Sequence, residues 1–92
     1  LLCLKAAWMM DQGDPRAAAP WISKIKVVAP IMALKVVDDA IQLHGAGGIS
    51  QDTPLAAYWM HLRTLRLADG PDAVHRRQVA RAELRKHTQE KI

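Results

Sequence analysis

The stretch from about residue 20 to 44 restricts the possible folds most, because it is apolar on two sides at helical spacing. At ~100° per residue, its apolar residues divide into two nearly opposite stripes: Ile25, Ala29, Met32, Val36, Ala40 and Leu43 form the first, and Val27, Ile31, Leu34, Val37 and Ile41 form the second. A helix that is apolar on both sides must be covered on both sides. Three other short helices can hardly do this alone, so the second stripe predicts a helix from a longer protein or a partner subunit.

The remainder of the chain is also predicted to be helical. Periodic strand patterns are lacking, and Ala, Leu, Met, Arg and Gln dominate. We predict helices at about 1–12, 20–44, 53–67 and 71–89, arranged as an antiparallel all-α bundle that forms one unit over residues 1–92. The expected details are an apolar face made of Leu1, Leu4 and Trp8, a kink at Pro30, and capping of the third helix by Asp52 or Thr53.

Several classes of protein are disfavoured by the bulk of the sequence. No apolar run approaches the ~18 residues of a membrane span. The single cysteine, Cys3, lies among apolar residues and is predicted to be a buried, inert thiol. The four histidines are scattered without a metal-binding spacing, so no metal site is predicted. Because the chain starts at Leu1 and within an apolar pattern, we expect it to be a piece of a longer protein.

The net charge of +4 is unevenly placed. Residues 1–62 carry five basic and five acidic groups, whereas residues 63–92 carry eight basic and four acidic groups. In the last predicted helix, Arg77, Arg81 and Arg85 form one row at i, i+4 and i+8. A basic helix of this kind attracts phosphate groups, and a solvated basic face is the alternative interpretation.

Two loops contain the candidate chemistry, and each has a structural alternative. "GAGG" (45–48) follows Gln42 and lets a backbone approach an anion closely, or it is simply a flexible turn between helices. Asp69, in "RLADGPDAVH" (66–75), is either an acid that caps the start of the next helix or a base that moves a proton.

The combination of these features is more specific than either one. "AIQLHGAGGISQDTPLA", followed by a helix and then "LRLADGPDAVHRRQVARAELR", resembles the C-terminal helical domain of the acyl-CoA dehydrogenases, which are flavoproteins. The spacing from Gln42 to Asp69 matches the better-known members without a gap. Upstream, "LKAAWMMDQGD" and "SKIKVVAPIMALKVVDDAIQ" look like the two preceding helices of that domain, so the resemblance covers nearly the whole chain.

The resemblance implies a role for individual residues. Asp69 falls at the position of the catalytic Glu, which removes the α-proton of an acyl-CoA thioester, and "LADGPDAVH" resembles the branch of the family in which Asp takes this place. Gly70 and Arg81 match substrate-site positions. The positions that correspond to contacts with FAD are Gln42, Gly45, Ala46, Gly47, Pro71, Asp72 and Ala73. The first four match the segment that contacts the FAD diphosphate, typically that of a neighbouring subunit.

The sequence departs from the family pattern at two of these positions. Ala46 stands where a second glycine is usual, and its Cβ can obstruct a close approach of the backbone to a ligand. Pro71 stands where the family commonly has a Thr, and it brings neither a hydroxyl nor an N–H group. The resemblance therefore implies that any flavin contact at Pro71 differs from the usual one.

The resemblance also implies the partners. These are FAD as cofactor, acyl-CoA as substrate, an electron-transferring flavoprotein as acceptor, and a homo-oligomer, either a dimer or a tetramer. The expected compartment is the cytoplasm in a bacterium, and the mitochondrial matrix or peroxisome in a eukaryote. The piece without the N-terminal helical and middle β domains of the family is expected to be inactive and to self-associate.

Two other classes of function remain open. The chain can be a small basic nucleic-acid-binding protein with "HRRQVARAELRK" as its recognition helix, although a helix-turn-helix spacing is not evident. It can also be a non-catalytic helical interaction module.

Overall fold

The computed structural model describes residues 1–90, with side chains for residues 1–88. Its helices are α1 (Leu2–Asp11), α2 (Pro15–His44), α3 (Leu55–Thr64) and α4 (Asp72–Glu90). A 3-10 helix, Gly45–Ile49, follows α2 directly and is called the glycine turn below. No strand is present in residues 1–90, which confirms the predicted all-α fold.

The central helix α2 is longer than predicted because its start lies at Pro15. Asp14 is the N-cap residue, and its side chain accepts a hydrogen bond of 3.0 Å from the Arg16 N–H. Pro15 occupies the first turn, where its missing N–H group leaves no helical hydrogen bond unmade. The helix then continues through Pro20 and Pro30 to His44, which gives it 30 residues and a length of ~45 Å.

All three other helices pack against α2, and no two of them pack closely on each other within the described residues. The result is an elongated molecule of 59 × 25 × 21 Å with a radius of gyration of 17.2 Å. A compact domain of this length has a radius of gyration of about 12 Å. The bundle is therefore open, since α1, α3 and α4 share one support without enclosing it.

The second apolar stripe of α2 faces the other helices, and the first stripe is the more exposed of the two. Leu34 is buried and the other four residues of the second stripe are half-buried. In the first stripe, Met32 is 59% exposed, Val36 63% and Leu43 88%. The prediction that the second stripe lacks a cover was wrong about which side is open, because α3 and α4 fold back onto that side.

Other details also differ from the sequence-based expectations. Cys3 is exposed instead of buried, and the face of Leu1, Leu4 and Trp8 is turned away from α2. Ala6 is the buried residue of α1. Neither predicted cap holds α3, whose N-cap residue is Pro54 without a side-chain cap.

The buried apolar core is very small. It consists of Ala6, Ala18, Pro30 and Leu34, and no large side chain is fully buried among the described residues. The accessible surface is 7068 Å², compared with about 5,300 Å² for a compact monomer of this mass. This surplus of roughly 1,700 Å² is mainly a consequence of the open arrangement of the helices around α2.

The stretch Pro15–Ile49 is long and apolar enough to cross a membrane, with a mean hydropathy of 1.3 over its most apolar window. The sequence-based expectation that no apolar run approaches the length of a membrane span was therefore too strict. A core helix meets the same criterion, and α2 is packed by three other helices. Its length and hydropathy alone establish no membrane span.

Candidate active site

Asp69 lies in a tight turn between α3 and α4, and this segment, residues 65–71, is called the Asp69 turn. After α3 ends, the Ala68 N–H still donates to the Thr64 carbonyl at 2.8 Å. Asp69 then has φ +55°, and it is the only non-glycine residue with positive φ among residues 1–90. Gly70 follows with φ +105°. The left-handed conformation costs an ordinary residue about 1 kcal/mol and is less unfavourable for Asp.

The Asp69 side chain is exposed and forms no hydrogen bond with any described residue. The first turn of α4 uses other groups, since the Val74 N–H donates to the Pro71 carbonyl at 2.9 Å. The Asp69 carboxylate therefore does not cap α4, which removes the structural alternative for this acid. The carboxylate is free to face a ligand.

Lys26, on α2, reaches this turn from a distant part of the chain. Its Nζ donates to the carbonyl oxygens of Leu65 and Ala68, the latter at 2.7 Å. Carbonyl groups just beyond the end of a helix lack an intrahelical partner. Lys26 satisfies two of them and fixes the start of the Asp69 turn to α2.

An ion pair joins the two sides of the turn. Arg66 Nε and Nη2 each lie 2.7 Å from Oδ2 of Asp72. The hydrogen bond from Arg66 lowers the pKa of the Asp72 carboxyl below its ordinary value, although burial acts in the opposite direction. Oδ1 of Asp72 is buried and has no partner within the described residues. Asp72 thus has a structural role, because its carboxylate is held by Arg66 at the start of α4.

His75, on the first turns of α4, contacts the backbone of Asp69. Its Nε2 lies 3.2 Å from the Asp69 carbonyl oxygen. Because a carbonyl only accepts hydrogen bonds, Nε2 carries the hydrogen in this pair. A Cβ atom on Gly70 would lie 3.0 Å from the same nitrogen. Gly70 is thus required by its positive φ and by the proximity of His75.

The glycine turn folds back closely onto α2. Gly45, with φ +63°, ends the helix and donates its N–H to the Gln42 carbonyl. Gly48 is buried, and a Cβ there would lie 2.8 Å from the Ile41 carbonyl oxygen. Gly48 was not among the residues predicted to contact a ligand. Its only signal was the glycine run, which does not show which of the glycines is packed.

The opposite side of the glycine turn is open to solvent. Gln42, Gly45 and Ala46 are exposed, and a Cβ on Gly45 or Gly47 would meet no atom within 4 Å. No described residue thus prevents a ligand from reaching this backbone. The Ala46 methyl group adds a projection to a surface that is otherwise accessible.

The structure does not bring the two groups of predicted residues together. On α2, Lys26 contacts the Asp69 turn and Ile41 contacts Gly48. Fifteen residues of helix correspond to ~22 Å. The glycine turn and the Asp69 turn therefore lie at opposite ends of α3, and one small ligand cannot contact both.

Arg81 lies on α4, away from both turns. It lines a groove of about 290 Å³ between α2 and α4, together with Arg16, Ser23, Gln78 and Arg85. Ser23 Oγ donates to Gln78 Oε1 at 2.6 Å and joins the two helices there. Arg81 lies nine residues after Asp72, about 14 Å along the helix.

Comparisons with known proteins agree with this arrangement. The family model described as acyl-CoA dehydrogenase, C-terminal domain, matches residues 1–84. "Probable acyl-CoA dehydrogenase FadE2" of Mycobacterium tuberculosis is 54% identical over 84 residues, which are 91% of this chain and 21% of that protein. Human acyl-CoA dehydrogenase family member 11 is 52% identical over 85 residues, which are 92% of this chain and 11% of that protein.

A solved structure from Mycobacterium abscessus, assigned to the acyl-CoA dehydrogenases, superposes with a TM-score of 0.90 at 57% identity. The match covers 94% of this chain and 21% of that one. The chain thus spans about a fifth or less of these relatives, and the matching part is the C-terminal domain. By its sequence, its helices and its match to the family model, the chain belongs to the acyl-CoA dehydrogenase family, as a C-terminal helical domain.

Proposed function

We propose that this chain acts as the C-terminal domain of a full-length FAD-dependent acyl-CoA dehydrogenase, with Asp69 as the catalytic base. The observation that supports this most is the free Asp69 carboxylate on a turn held from three sides. A base needs a lone pair that the protein itself does not use, together with a fixed position. Asp69 has both, whereas the neighbouring Asp72 is paired with Arg66.

The proposed reaction is the α,β-dehydrogenation of an acyl-CoA thioester. The Asp69 carboxylate takes the α-proton and becomes a neutral carboxyl group. When bound, FAD supplies the acceptor for the hydride that leaves the β-carbon. The product is then the trans-2-enoyl-CoA, and the cofactor is reduced by two electrons. Since Asp69 is exposed here, the surface that excludes water from it must belong to other domains of the full-length enzyme.

The residues present fit a partial FAD contact. The exposed Gln42 side chain and the open backbone at Gly45, Ala46 and Gly47 would face the diphosphate of FAD in another subunit. At the other end of α3, Pro71 has no N–H group and its carbonyl already accepts from Val74. We infer that contacts there use the N–H groups of Asp72 and Ala73, which begin α4 without intrahelical acceptors.

The substrate contacts would come from Gly70 and Arg81. Gly70 allows the positive-φ turn beside Asp69, and its backbone would lie against the thioester. Arg81 would face a charged part of the substrate at the groove between α2 and α4. An electron-transferring flavoprotein is proposed to accept the electrons from the reduced cofactor.

We also infer a homo-oligomer. The surplus accessible surface of roughly 1,700 Å² exceeds the ~800 Å² that one partner typically contributes to a stable interface. The separation of ~22 Å between the two turns also favours a site shared between subunits. One copy would then provide the Asp69 turn, and another copy would provide the glycine turn.

The test is Asp69→Asn in the full-length enzyme. Asn tolerates the left-handed conformation as well as Asp does, so the turn and the bound FAD are expected to stay intact. The wild-type enzyme is expected to purify yellow, to bleach with a suitable acyl-CoA, and to exchange the α-proton of the substrate with solvent. The variant should lose that exchange by a factor of 100 or more, on the order of general-base contributions.

Two results would contradict the proposal. A wild-type enzyme that is colourless and binds DNA in a salt-dependent way would favour the basic nucleic-acid binder. Retained α-proton exchange in Asp69→Asn would mean that Asp69 is not the base. Asp39→Asn is the matched control, because that carboxylate forms only an exposed pair with Lys35 on α2.

A further inference from the structure

The ammonium group of Lys26 is the link between the central helix and the turn that carries Asp69. It lies on α2, 39 residues before Leu65 and 42 residues before Ala68 in the sequence, yet it donates to both of their carbonyls. The other side chains that hold the turn, Arg66, Asp72 and His75, lie within six residues of one another or of Asp69. Lys26 is thus the tertiary anchor, and the other contacts are local.

The position of the charge is physically favourable. The carbonyls at the end of α3 carry the negative end of the helix dipole, and a cation there is stabilising. A hydrogen bond from a charged donor is also about twice as strong as a neutral one. Because both acceptors precede Asp69 by no more than four residues, Lys26 acts on the backbone from which the carboxylate projects.

The turn requires such an anchor. Asp69 is held at φ +55°, and residues in sparsely populated backbone regions persist only when their surroundings over-determine them. The local contacts at Arg66–Asp72 and at His75 fix the turn to the start of α4. They do not fix it relative to α2, the helix against which every other element packs.

We propose that Lys26 is a positioning residue for Asp69. It holds the carbonyls of Leu65 and Ala68 against α2, and thereby sets where the carboxylate stands relative to a bound acyl-CoA. This inference rests on the proposed function, in which Asp69 is the base. In this proposal Lys26 acts only through the backbone carbonyls that it holds, so its removal should affect proton abstraction and leave binding intact.

The test compares Lys26→Met, Lys26→Gln and Lys26→Arg in the full-length enzyme, with Lys35→Met as control. Lys35 is on the same helix, is exposed, and contacts only Asp39. A displacement of about 1 Å at a reacting group can reduce rate by 100-fold. We expect Lys26→Met to retain FAD, to keep KM within about twofold and to reduce kcat by ~10- to 100-fold. Lys26→Arg, which keeps a charged donor, should recover part of the loss.

A second measurement separates positioning from general stability. Amide hydrogen exchange at residues 66–70 should accelerate in the Lys26 variants, and the loss of kcat across the three variants should follow that acceleration. Exchange in α1 and in the glycine turn should stay at the wild-type rate. The control should change neither quantity.

Three results would overturn the inference. The first is a loosened turn with unchanged kcat, and the second is a variant series that alters neither exchange nor kcat. The third is a fall in kcat that occurs only together with loss of FAD and a raised KM. If the wild-type enzyme itself exchanges no α-proton, the proposed function has failed. In that case a turn that stays ordered in Lys26→Met would separately show that Lys26 does not hold it.

Discussion

Individual glycines and acids in this chain have very different surroundings despite similar sequence contexts. Gly47 and Gly48 are neighbours, yet the first is exposed with open space around it and the second is buried against Ile41. Asp69 and Asp72 are three residues apart, yet only Asp72 has an ion-pair partner. Local sequence does not distinguish the members of these pairs, because burial and ion pairing depend on how the chain folds back at each turn, which brings Ile41 against Gly48 and Arg66 against Asp72.

At the residue scale, we expect Gly48→Ala to destabilise the chain and Gly47→Ala to be tolerated. A Cβ at Gly48 would lie 2.8 Å from the Ile41 carbonyl oxygen and 2.9 Å from its Cα, so the backbone must shift at a cost of about 1–3 kcal/mol. A Cβ at Gly47 would meet no atom within 4 Å. Gly47→Ala should therefore leave the free energy of unfolding unchanged or raise it by ~0.5 kcal/mol. Urea unfolding followed by far-UV circular dichroism measures both, and equal effects of the two changes would refute the packing of the glycine turn on α2.

The connections at the ends of α3 carry the candidate chemistry, while α3 itself acts as a spacer. Its length separates the glycine turn from the Asp69 turn, and α2 supports both. At the Asp69 turn, α3 is joined to α2 by Lys26 and to α4 by the pair of Arg66 and Asp72. The pair of Arg66 and Asp72 is thus a direct link between the segment after α3 and the start of α4, since these two helices pack on α2 and not closely on each other.

At the element scale, we expect the pair of Arg66 and Asp72 to make stability depend on acid pH. The pKa of Asp72 is lowered in the folded chain, so the unfolded chain binds its proton more readily. The stabilisation is then present above the ordinary carboxyl pKa of about 4 and is lost as the pH falls through the lower folded value. Asp72→Asn should therefore be less stable than wild type at neutral pH, and the difference should shrink in acid.

Asp39→Asn is the control for this experiment. Its carboxylate pairs with Lys35 on the surface, where both side chains are more than 60% exposed, and such pairs contribute little. The prediction is tested by the urea midpoints of wild type, Asp72→Asn and Asp39→Asn, measured between neutral and acid pH. A difference between wild type and Asp72→Asn that does not vary with pH would contradict the assigned role of the ion pair.

The whole molecule is an open arrangement of helices around one support, with only Ala6, Ala18, Pro30 and Leu34 as buried apolar side chains in its described part. Large apolar side chains are exposed on α1, on the first stripe of α2 and on α3. Surfaces of this kind are typical of contacts with other domains or subunits. The helices are thus formed along most of the described chain, whereas the apolar core between them is small.

At the scale of the molecule, we expect the isolated chain to self-associate. Equilibrium sedimentation should show species larger than a monomer, because burial of the first α2 stripe removes apolar surface from water. Val36→Lys should shift the distribution towards the monomer without unfolding α2, since Val36 is 63% exposed. Lys35→Gln is the neighbouring control and should leave the distribution unchanged. A folded wild-type monomer at all concentrations would refute this reading of the exposed stripe.

Much of the architecture could be predicted from sequence, for reasons that are local. The periodicity of α2, the proline and glycine residues between the helices, and the absence of strand patterns all depend on a few neighbouring residues. The family resemblance likewise depended on short motifs, "GAGG" and "LADGPDAVH", at a fixed spacing. The start of α2 at Pro15 could not be fixed from the sequence, because Pro15 and Pro20 could each occupy a first turn.

The chain's residues alone established helices, their order, two apolar sides on α2 and an acid in a turn beside a glycine. Their pattern could not show that the first α2 stripe is the open one, that Cys3 is exposed, or that Gly48 is packed against Ile41. Nor could it show that Lys26 contacts the Asp69 turn, at residues 39 and 42 positions later in the chain. Secondary structure follows from neighbours within one or two helical turns, whereas which face is covered depends on where distant helices pack.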